Sequence, residues 1–316
     1  MRQQRYTLLA FLLVALALPF VVHSEYLVHI GVLILFYVVL ATSFNLVVGY
    51  VGELPLGHTA FFGIGAYSAA MLSDGAALPL YLTIPLAGII ASLFGLLIGG
   101  ITLRLRGPFF VIITLAFAET LRITAINWVG FTNGPMGFSD IAQPEWITAM
   151  SVINGKKAYY FVALALSTIV LYASYRLVNS GFGRGVNAVR ENRFVAQSIG
   201  ISPYHYALTV FVIAALIAGS AGGFYAHYIT FVGPEVFAFP FMISMILIVL
   251  IGGKGTLVGP VLGAIVIVVL EEYLRDLKEF RLSAFGLVVI AVVIFLPNGL
   301  LGHLRKSETY KEGGAS

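Results

Sequence analysis

The chain has 316 residues, of which 59% are hydrophobic and only 10% are charged, and its formal net charge is +4. A soluble protein would carry about 25% charged residues, so this composition, with a mean hydropathy of +0.98, excludes a soluble globular fold. The sequence contains no cysteine, which excludes disulfides, thiol catalysis and cysteine-based metal sites.

Long apolar segments follow one another through nearly the whole chain. A membrane helix needs roughly 20 apolar residues, whereas a barrel strand needs about ten alternating ones. We therefore predict an all-α, polytopic membrane bundle of eight to ten transmembrane segments, near 7–23, 27–50, 55–72, 80–103, 108–128, 158–177, 206–229, 236–252, 256–272 and 283–301. The third and eighth segments are short or rich in Gly and Pro, so each is either a full span or a broken or re-entrant helix.

No connection between these segments is long enough to fold alone. We therefore predict a single transmembrane domain over residues 1–304 and a short polar tail over 305–316. The basic start and apolar run of the first segment also fit a signal peptide. It lacks a clear A-x-A cleavage site and further apolar segments follow it, so we expect an uncleaved first helix.

The distribution of Lys and Arg predicts the orientation of the bundle. With the N-terminus inside, twelve basic residues fall on the cytoplasmic side and five outside, while Arg122 lies within a span. Cytoplasmic connections of membrane proteins carry an excess of Lys and Arg. The sequence therefore predicts an N-in and C-in topology.

Residues 250–260 read LIGGKGTLVGP and superficially resemble a phosphate-binding loop. That motif requires Ser or Thr after its lysine, whereas Gly255 follows Lys254, so we predict a tight interhelical turn instead. The histidines lack metal-ligand spacing, and there is no G-x-S-x-G motif. We accordingly predict no catalytic residue, no metal site and no cofactor site in this chain.

The stretch from 45 to 72, NLVVGYVGELPLGHTAFFGIGAYSAAML, is unusually rich in glycine and contains Pro55. Small residues let membrane helices pack closely, and broken helices within a membrane line cavities or sites. Two interpretations therefore remain open. Either these residues serve close packing, with Glu53 at the interface, or residues 53–59 lie along a translocation path.

The fifth segment contains two ionisable residues, Glu119 and Arg122. Because they are three residues apart, they share a helix face and can pair. Ionisable groups within a membrane usually face a bundle interior or a water-filled cavity. Two interpretations remain open. The residues either have a structural role, as an ion pair or as an arginine that extends to the membrane interface, or they line or gate a path.

Residues 187–201, NAVRENRFVAQSIGI, form a polar stretch between apolar segments. We predict a short cytoplasmic helix near 188–199, with Asn187 as N-cap and Glu191 early in the helix. Gly200 would end this helix, and Ser202-Pro203 would begin the next one. Either this stretch is such a helix and docks into a partner's groove, or it is a solvated loop whose arginines attract anionic lipid head groups.

The sequence RENRFVAQSIGI resembles the cytoplasmic EAA loop of ABC-importer permeases, whose core runs Glu/Ala-Ala-x-x-x-Gly. Here Val195 stands where an alanine is usual. Other stretches, which with this loop are spread between residues 40 and 265, resemble the permeases of high-affinity branched-chain amino acid (Liv-type) importers: NLVVGYVGELPLGHTAFFGIGAY, LRGPFFVIITLAFAETLR, TNGPMGF, AGSAGGFYAHY and IGGKGTLVGPVLGA. Members of that family often have Ser or Leu where this chain has Glu53 and Pro55.

The resemblance implies a permease in a bacterial or archaeal cytoplasmic (inner) membrane. A second permease subunit, similar or identical, would complete the pore, and a soluble binding protein would deliver the substrate. Two ATPase subunits would hold ATP and Mg, so this chain would be no enzyme and would contact membrane lipid but no nucleic acid. The short helix would couple to the ATPase through Asn187, Arg190, Glu191, Val195, Ala196 and Gly200.

A crossing amino acid needs partners for its carboxylate and ammonium groups, which helix N-termini, hydroxyl or amide groups and an acidic residue can provide. Our candidates for the translocation path are Asn45, Glu53, Gly57, His58, Thr59, Thr114, Glu119 and Arg122. Related permeases carry urea, short amides or other amino acids, and these substrates remain alternatives. An ion-coupled secondary transporter is a further alternative, whereas nothing in the sequence favours a membrane-embedded enzyme.

Overall fold

The computed structural model describes residues 2–22, 24–76, 78–105, 107–139, 141–144, 147 and 149–275, together with positions 286, 287, 290, 299 and 300. Within these residues the helices are α1 Arg2–Val21, α2 Glu25–Asn45, α3 Thr59–Ala76, α4 Leu80–Thr102, α5 Pro108–Asn127, α6 Val129–Thr132, α7 Val152–Val178, α8 Gly181–Glu191, α9 Arg193–Ser198, α10 Pro203–Ile229, α11 Phe239–Gly252 and α12 Gly259–Leu274. The fold is a polytopic bundle of membrane helices, as predicted.

Five helical segments of the described chain are long and apolar enough to cross a membrane: Glu25–Val51, Leu80–Thr102, Pro108–Asn127, Val152–Val178 and Pro203–Ile229. Helices also occupy the predicted segments at 7–23, 55–72, 236–252 and 256–272. The last predicted segment, 283–301, lies almost entirely outside the described residues.

The first helix packs against the rest of the bundle. The hydroxyl of Tyr160 in α7 donates a hydrogen bond of 2.7 Å to the backbone oxygen of Ala15 in α1. Ala15 is only 5% exposed. These contacts make α1 part of the helical bundle.

Small residues allow α10 to cross α3 and α4 at close range. A Cβ atom at Gly65 would collide with the backbone of Gly219, and one at Gly222 would collide with the backbone of α3. Gly88 of α4 faces Ser220 in the same way. Membrane helices gain stability from such packing because the bilayer supplies no hydrophobic drive between them. Backbone contact therefore holds the three helices at the centre of the bundle.

A non-helical break separates the second and third predicted segments, and the third is the continuous helix α3 from Thr59. Helix α2 continues as a π-helical turn over Leu46–Val51, and Gly52 then adopts a left-handed conformation with φ of +87°. The chain is not helical again until Thr59, where α3 begins. Single π-helical turns in α-helices are frequently found at functional sites.

A second break precedes the helix of the eighth predicted segment. The short strand Phe231–Val232 pairs antiparallel with Phe138–Ser139, and a 3-10 turn, Pro234–Phe237, precedes α11. Helix α11 has 14 residues, or about 21 Å, so it is shorter than a bilayer core of about 30 Å. Phe237 reaches the first break, because its backbone oxygen accepts a hydrogen bond of 3.1 Å from the hydroxyl of Thr59. The two breaks are therefore in contact.

The helix ends gather at two ends of the bundle. At one, which we call the basic end, residues 46–54, 178–203 and 252–258 meet; its described basic residues are Arg104, Arg176, Arg184, Arg190, Arg193 and Lys254. The opposite end is marked by the ion pair of Lys156 with Glu25 at 3.2 Å. Its described basic residues are Lys156, Lys157 and Arg275. Which end faces the cytoplasm stays a prediction.

Candidate coupling site and translocation path

The predicted short helix is in fact a pair of helices, and it begins earlier than the sequence indicated. Ser180 caps α8, since its hydroxyl oxygen accepts a hydrogen bond of 3.1 Å from the backbone nitrogen of Gly183. Asn187 lies inside α8, so its prediction as N-cap is wrong, because the chain is already helical from Gly181. The prediction that Glu191 lies early in the helix is also wrong, since it is the last residue of α8.

Asn192 separates the two helices and caps the second one. Its side-chain oxygen accepts hydrogen bonds from the backbone nitrogens of Phe194 at 3.0 Å and Val195 at 3.1 Å. The predicted stop at Gly200 is confirmed by its left-handed φ of +84°. The start of α10 is confirmed as well, with Ser202 at the N-cap position and Pro203 in the first turn. The helix pair thus has defined ends.

Helix α9 exposes an apolar face at the basic end of the bundle. Phe194 is 73% exposed, Val195 58% and Ile199 68%, and we call these three residues the α9 apolar face. Ala196, by contrast, is 1% exposed and packs inward. Val195 belongs to the exposed side, so its departure from the usual alanine changes the outer surface and leaves the inward packing unchanged.

The helix pair is attached to the broken segment after α2. The guanidinium of Arg193 forms an ion pair of 2.6 Å with the carboxylate of Glu53. The guanidinium of Arg190 donates a hydrogen bond to the backbone oxygen of Gly49 in the π turn. Glu53 was predicted on the translocation path and Arg190 on the coupling helix, and the structure brings both into one cluster.

Asn45 joins the end of α2 to the turn between α11 and α12. Its side-chain nitrogen donates a 2.8 Å hydrogen bond to the backbone oxygen of Thr256, and its side-chain oxygen accepts one of 2.9 Å from the nitrogen of Gly255. The left-handed φ values of Gly253, +109°, and Gly255, +73°, confirm that 253–258 is a tight interhelical turn. Asn45 itself is 1% exposed, so it is a buried connector.

A cavity of about 810 Å³ opens at this junction. Carboxylate, guanidinium and ammonium groups meet apolar side chains on its walls. It is lined by Phe44, Val48, Gly49, Val51, Gly52, Glu53, Leu54, Val189, Arg190, Arg193, Ile246, Val249, Leu250 and Lys254. The cavity therefore touches α2, the break, the helix pair and α11.

Four further path candidates are buried where the break packs against its neighbours. His58 is fully buried, and its Nε2 lies 2.9 Å from the hydroxyl of Ser43. Gly57 leaves room for the backbone of Thr114, since a Cβ there would collide with it. The hydroxyl of Thr114 donates to the backbone of its own helix, and Thr59 bonds the 3-10 turn before α11. These contacts hold the break in place, and the role of these residues in transport stays a prediction.

Glu119 and Arg122 form the predicted pair through three hydrogen bonds of 2.6 to 3.1 Å. Their side chains are 49% and 35% exposed, so the pair lies on the outer side of α5. The exposed residues of α5 also include Thr120, Thr124 and Asn127, whose side chains bond the backbone of their own helix, and the apolar Ile112, Ile113 and Ile123. Helix α5 therefore presents a mixture of polar and apolar side chains away from this chain's own core.

Some residues of the cluster were not predicted from the sequence. Arg193 was not singled out because its partner, Glu53, is 140 residues away in the chain. Asn192 carried a usable signal, since Asn is a preferred N-cap residue and it directly precedes α9. Among the described residues, no group of three or more His, Cys, Asp or Glu could hold a metal ion.

A bundle of long apolar helices, with two non-helical breaks between its segments and a capped helix pair at its basic end, fits a polytopic membrane permease. Residues 26–297 match the family described as the branched-chain amino acid transport system permease component. The chain belongs to that family, and it is the permease subunit of an ABC importer. Such a permease works together with an ATPase and a binding protein.

Named relatives agree with this assignment. The chain is 35% identical, over 99% of its length and 78% of the relative's, to the high-affinity branched-chain amino acid transport system permease protein LivM of Escherichia coli K12. It is 26% identical, over 84% of its length and 91% of the relative's, to the LivH permease protein of Salmonella typhimurium. A probable LivM of Methanocaldococcus jannaschii is 25% identical over 68% of the chain and 67% of the relative. No solved structure matches.

Proposed function

We propose that this chain forms, with a second permease subunit, the import path for branched-chain or other hydrophobic amino acids. The proposal is supported by the names of its relatives, which are branched-chain amino acid permeases. LivM and LivH carry different names, which favours a pair of similar but distinct permeases. A binding protein outside the bacterial or archaeal inner membrane would supply the substrate.

The basic end would face the cytoplasm and receive the ATPase. An excess of Lys and Arg marks the cytoplasmic side of membrane proteins, and the basic end has more described basic residues than the opposite end. The observation that carries the proposal is the α9 apolar face, because three large apolar side chains exposed on a capped helix fit a groove in a partner protein. Two ATPase subunits would bind two permeases and would hold the ATP and Mg, so hydrolysis would take place outside this chain.

The exposed side of α5, with its pair of Glu119 and Arg122, would lie on the translocation path between the two permeases. Placing Glu119 and Arg122 against lipid tails is costly, whereas a polar path or a second subunit would satisfy them. Helix α5 also contacts both breaks, since Thr114 packs against Gly57 and the helix touches the 3-10 turn Pro234–Phe237. A substrate moving along α5 would therefore pass both breaks.

The docking proposal is tested by co-purifying the ATPase subunit with the tagged permease. Burying a large apolar side chain contributes about 1.5–3 kcal/mol, so Phe194→Asp with Ile199→Asp should reduce ATPase recovery at least about tenfold. Met136→Asp is the matched control, because Met136 is 80% exposed on a loop at the opposite end. Full ATPase recovery with the double variant, at normal membrane insertion, would contradict the proposed docking.

A further inference from the structure

The helix pair α8 and α9 is held to the membrane bundle by two arginines. Arg193 pairs with Glu53 at 2.6 Å, and their side chains are only 19% and 12% exposed. Arg190 donates to the backbone oxygen of Gly49. Partly buried ion pairs are screened much less by salt than exposed ones. The two contacts therefore form a firm attachment at two adjacent points.

Glycines on both sides make room for Arg190. A Cβ atom at Gly52 would lie 3.0 Å from its Cγ, and one at Gly255 would lie 3.0 Å from its Nη1. Arg190 thus lies between the break after α2 and the turn between α11 and α12. Because Asn45 bonds that same turn, these three parts of the chain share one connected set of contacts.

The attachment leads directly to both breaks. Glu53 lies within the break, at whose far end Thr59 bonds the backbone of Phe237 before α11. The π turn at the near end has one extra residue per hydrogen-bonded turn compared with an α-helix. If α8 and α9 move, residues 49–53 are displaced with them. The rest of the break, which contacts the segment before α11 through Thr59 and Phe237, would then move as well.

We propose that Glu53 and Arg193, supported by Arg190, are positioning residues that transmit the movement of the ATPase-docking helix pair to the break after α2. This inference rests on the proposed docking of the ATPase at α9. The pair acts as a fixed connection, so that the helix pair and residues 49–53 move as one rigid body. Separating the two charges uncouples ATP hydrolysis from transport and leaves the ATPase bound.

The test uses the complete transporter in proteoliposomes. Glu53→Gln and Arg193→Gln should each keep ATPase co-purification near the unaltered level. Each should lower substrate uptake at least about tenfold, which corresponds to about 1.4 kcal/mol of lost coupling. Each should also abolish the stimulation of ATP hydrolysis by the substrate-loaded binding protein, a readout that a structural role alone would not move. Normal stimulation and uptake in both variants would overturn the inference.

A covalent replacement of the ion pair gives the sharper result. The chain has no cysteine of its own, so Glu53→Cys with Arg193→Cys creates one defined pair of thiols. The reduced double variant should be uncoupled, and a short thiol–thiol cross-linker should restore stimulation and uptake. Continued uncoupling after cross-linking would overturn the rigid connection.

Matched controls separate this inference from the docking proposal. Glu25 and Lys156 also form an ion pair between two helices, at 3.2 Å and at the opposite end. The corresponding cysteine pair at these positions should leave coupling unchanged, with or without the cross-linker. If the unaltered chain binds no ATPase, or the Phe194→Asp and Ile199→Asp variant keeps it, the proposed function itself fails. If docking holds and only the Glu53 and Arg193 variants stay coupled, the coupling inference alone fails.

Discussion

Asn45 offers a direct test of the contacts at the basic end. Its side chain makes two hydrogen bonds to the turn 253–258 and is 1% exposed. Asn45→Ala removes both hydrogen bonds, and each contributes about 0.6–1 kcal/mol to the free energy of unfolding. It also leaves the nitrogen of Gly255 and the oxygen of Thr256 without these partners, which costs about 1 kcal/mol more. We expect the free energy of unfolding to fall by about 2–3 kcal/mol.

The measurement is reversible unfolding in mixed micelles titrated with SDS, followed by circular dichroism. Asn179→Ala is the matched control, because the side chain of Asn179 is exposed and donates to the backbone oxygen of Tyr175 in the preceding helix. Its cost should stay below about 0.5 kcal/mol. Asn45→Asp should be at least as damaging as alanine, since a carboxylate oxygen would face the oxygen of Thr256. A loss below about 0.5 kcal/mol for Asn45→Ala would refute this reasoning.

Three further predictions concern other parts of the bundle. Gly65→Leu should prevent recovery of folded protein by size-exclusion chromatography, because its Cβ would strike the backbone of α10, whereas Gly75→Ala, with open space around it, should not. Gly200→Ala should lower thermal stability by about 1–2 kcal/mol, since its φ is +84°, and normal stability would contradict the left-handed stop. Glu119→Gln should lower substrate uptake severalfold while the transporter still assembles, and the control Thr120→Val should leave uptake unchanged. Uptake by Glu119→Gln equal to that of the unaltered chain would show that Glu119 does not lie on the path.

Features set by neighbouring residues could be predicted from the sequence. The apolar runs indicated the long helices, and the glycines and proline after Asn45 indicated the break. The spacing of Glu119 and Arg122 indicated their pair, because residues three apart share a face of a helix. Gly200 and the turn at 253–258 were recognised because they need left-handed backbone, which glycine adopts at little cost.

Features that depend on distant contacts could not be predicted in this way. Glycine is a poor helix former, so the sequence GFGRG did not indicate that α8 begins at Gly181. The structure explains two of these glycines, because a Cβ at Gly183 would collide with the backbone of Val178 and one at Gly185 with the ring of Tyr206. The ion pair of Glu53 with Arg193 joins residues 140 positions apart, and no local pattern encodes such a contact.

The side on which candidate residues lie was also beyond the sequence. Periodicity placed Glu119 on a helix, and only the structure places it on the outer side of the bundle. The predicted segments at 206–229 and 236–252 located the interruption between them, but not the strand and 3-10 turn that form it. The 3-10 turn packs against α3, where the backbone oxygen of Phe237 accepts a hydrogen bond from Thr59.

The central claim is that this chain imports amino acids only as part of an ATP-driven assembly. The most direct measurement is uptake of radiolabelled leucine into proteoliposomes that contain this chain, a second permease and the ATPase. The binding protein is added outside the vesicles, on the side from which the leucine enters. We predict that uptake requires ATP, the ATPase and the binding protein, and that omitting any one of them abolishes it. Uptake by this chain alone, driven by a proton or sodium gradient, would contradict the account.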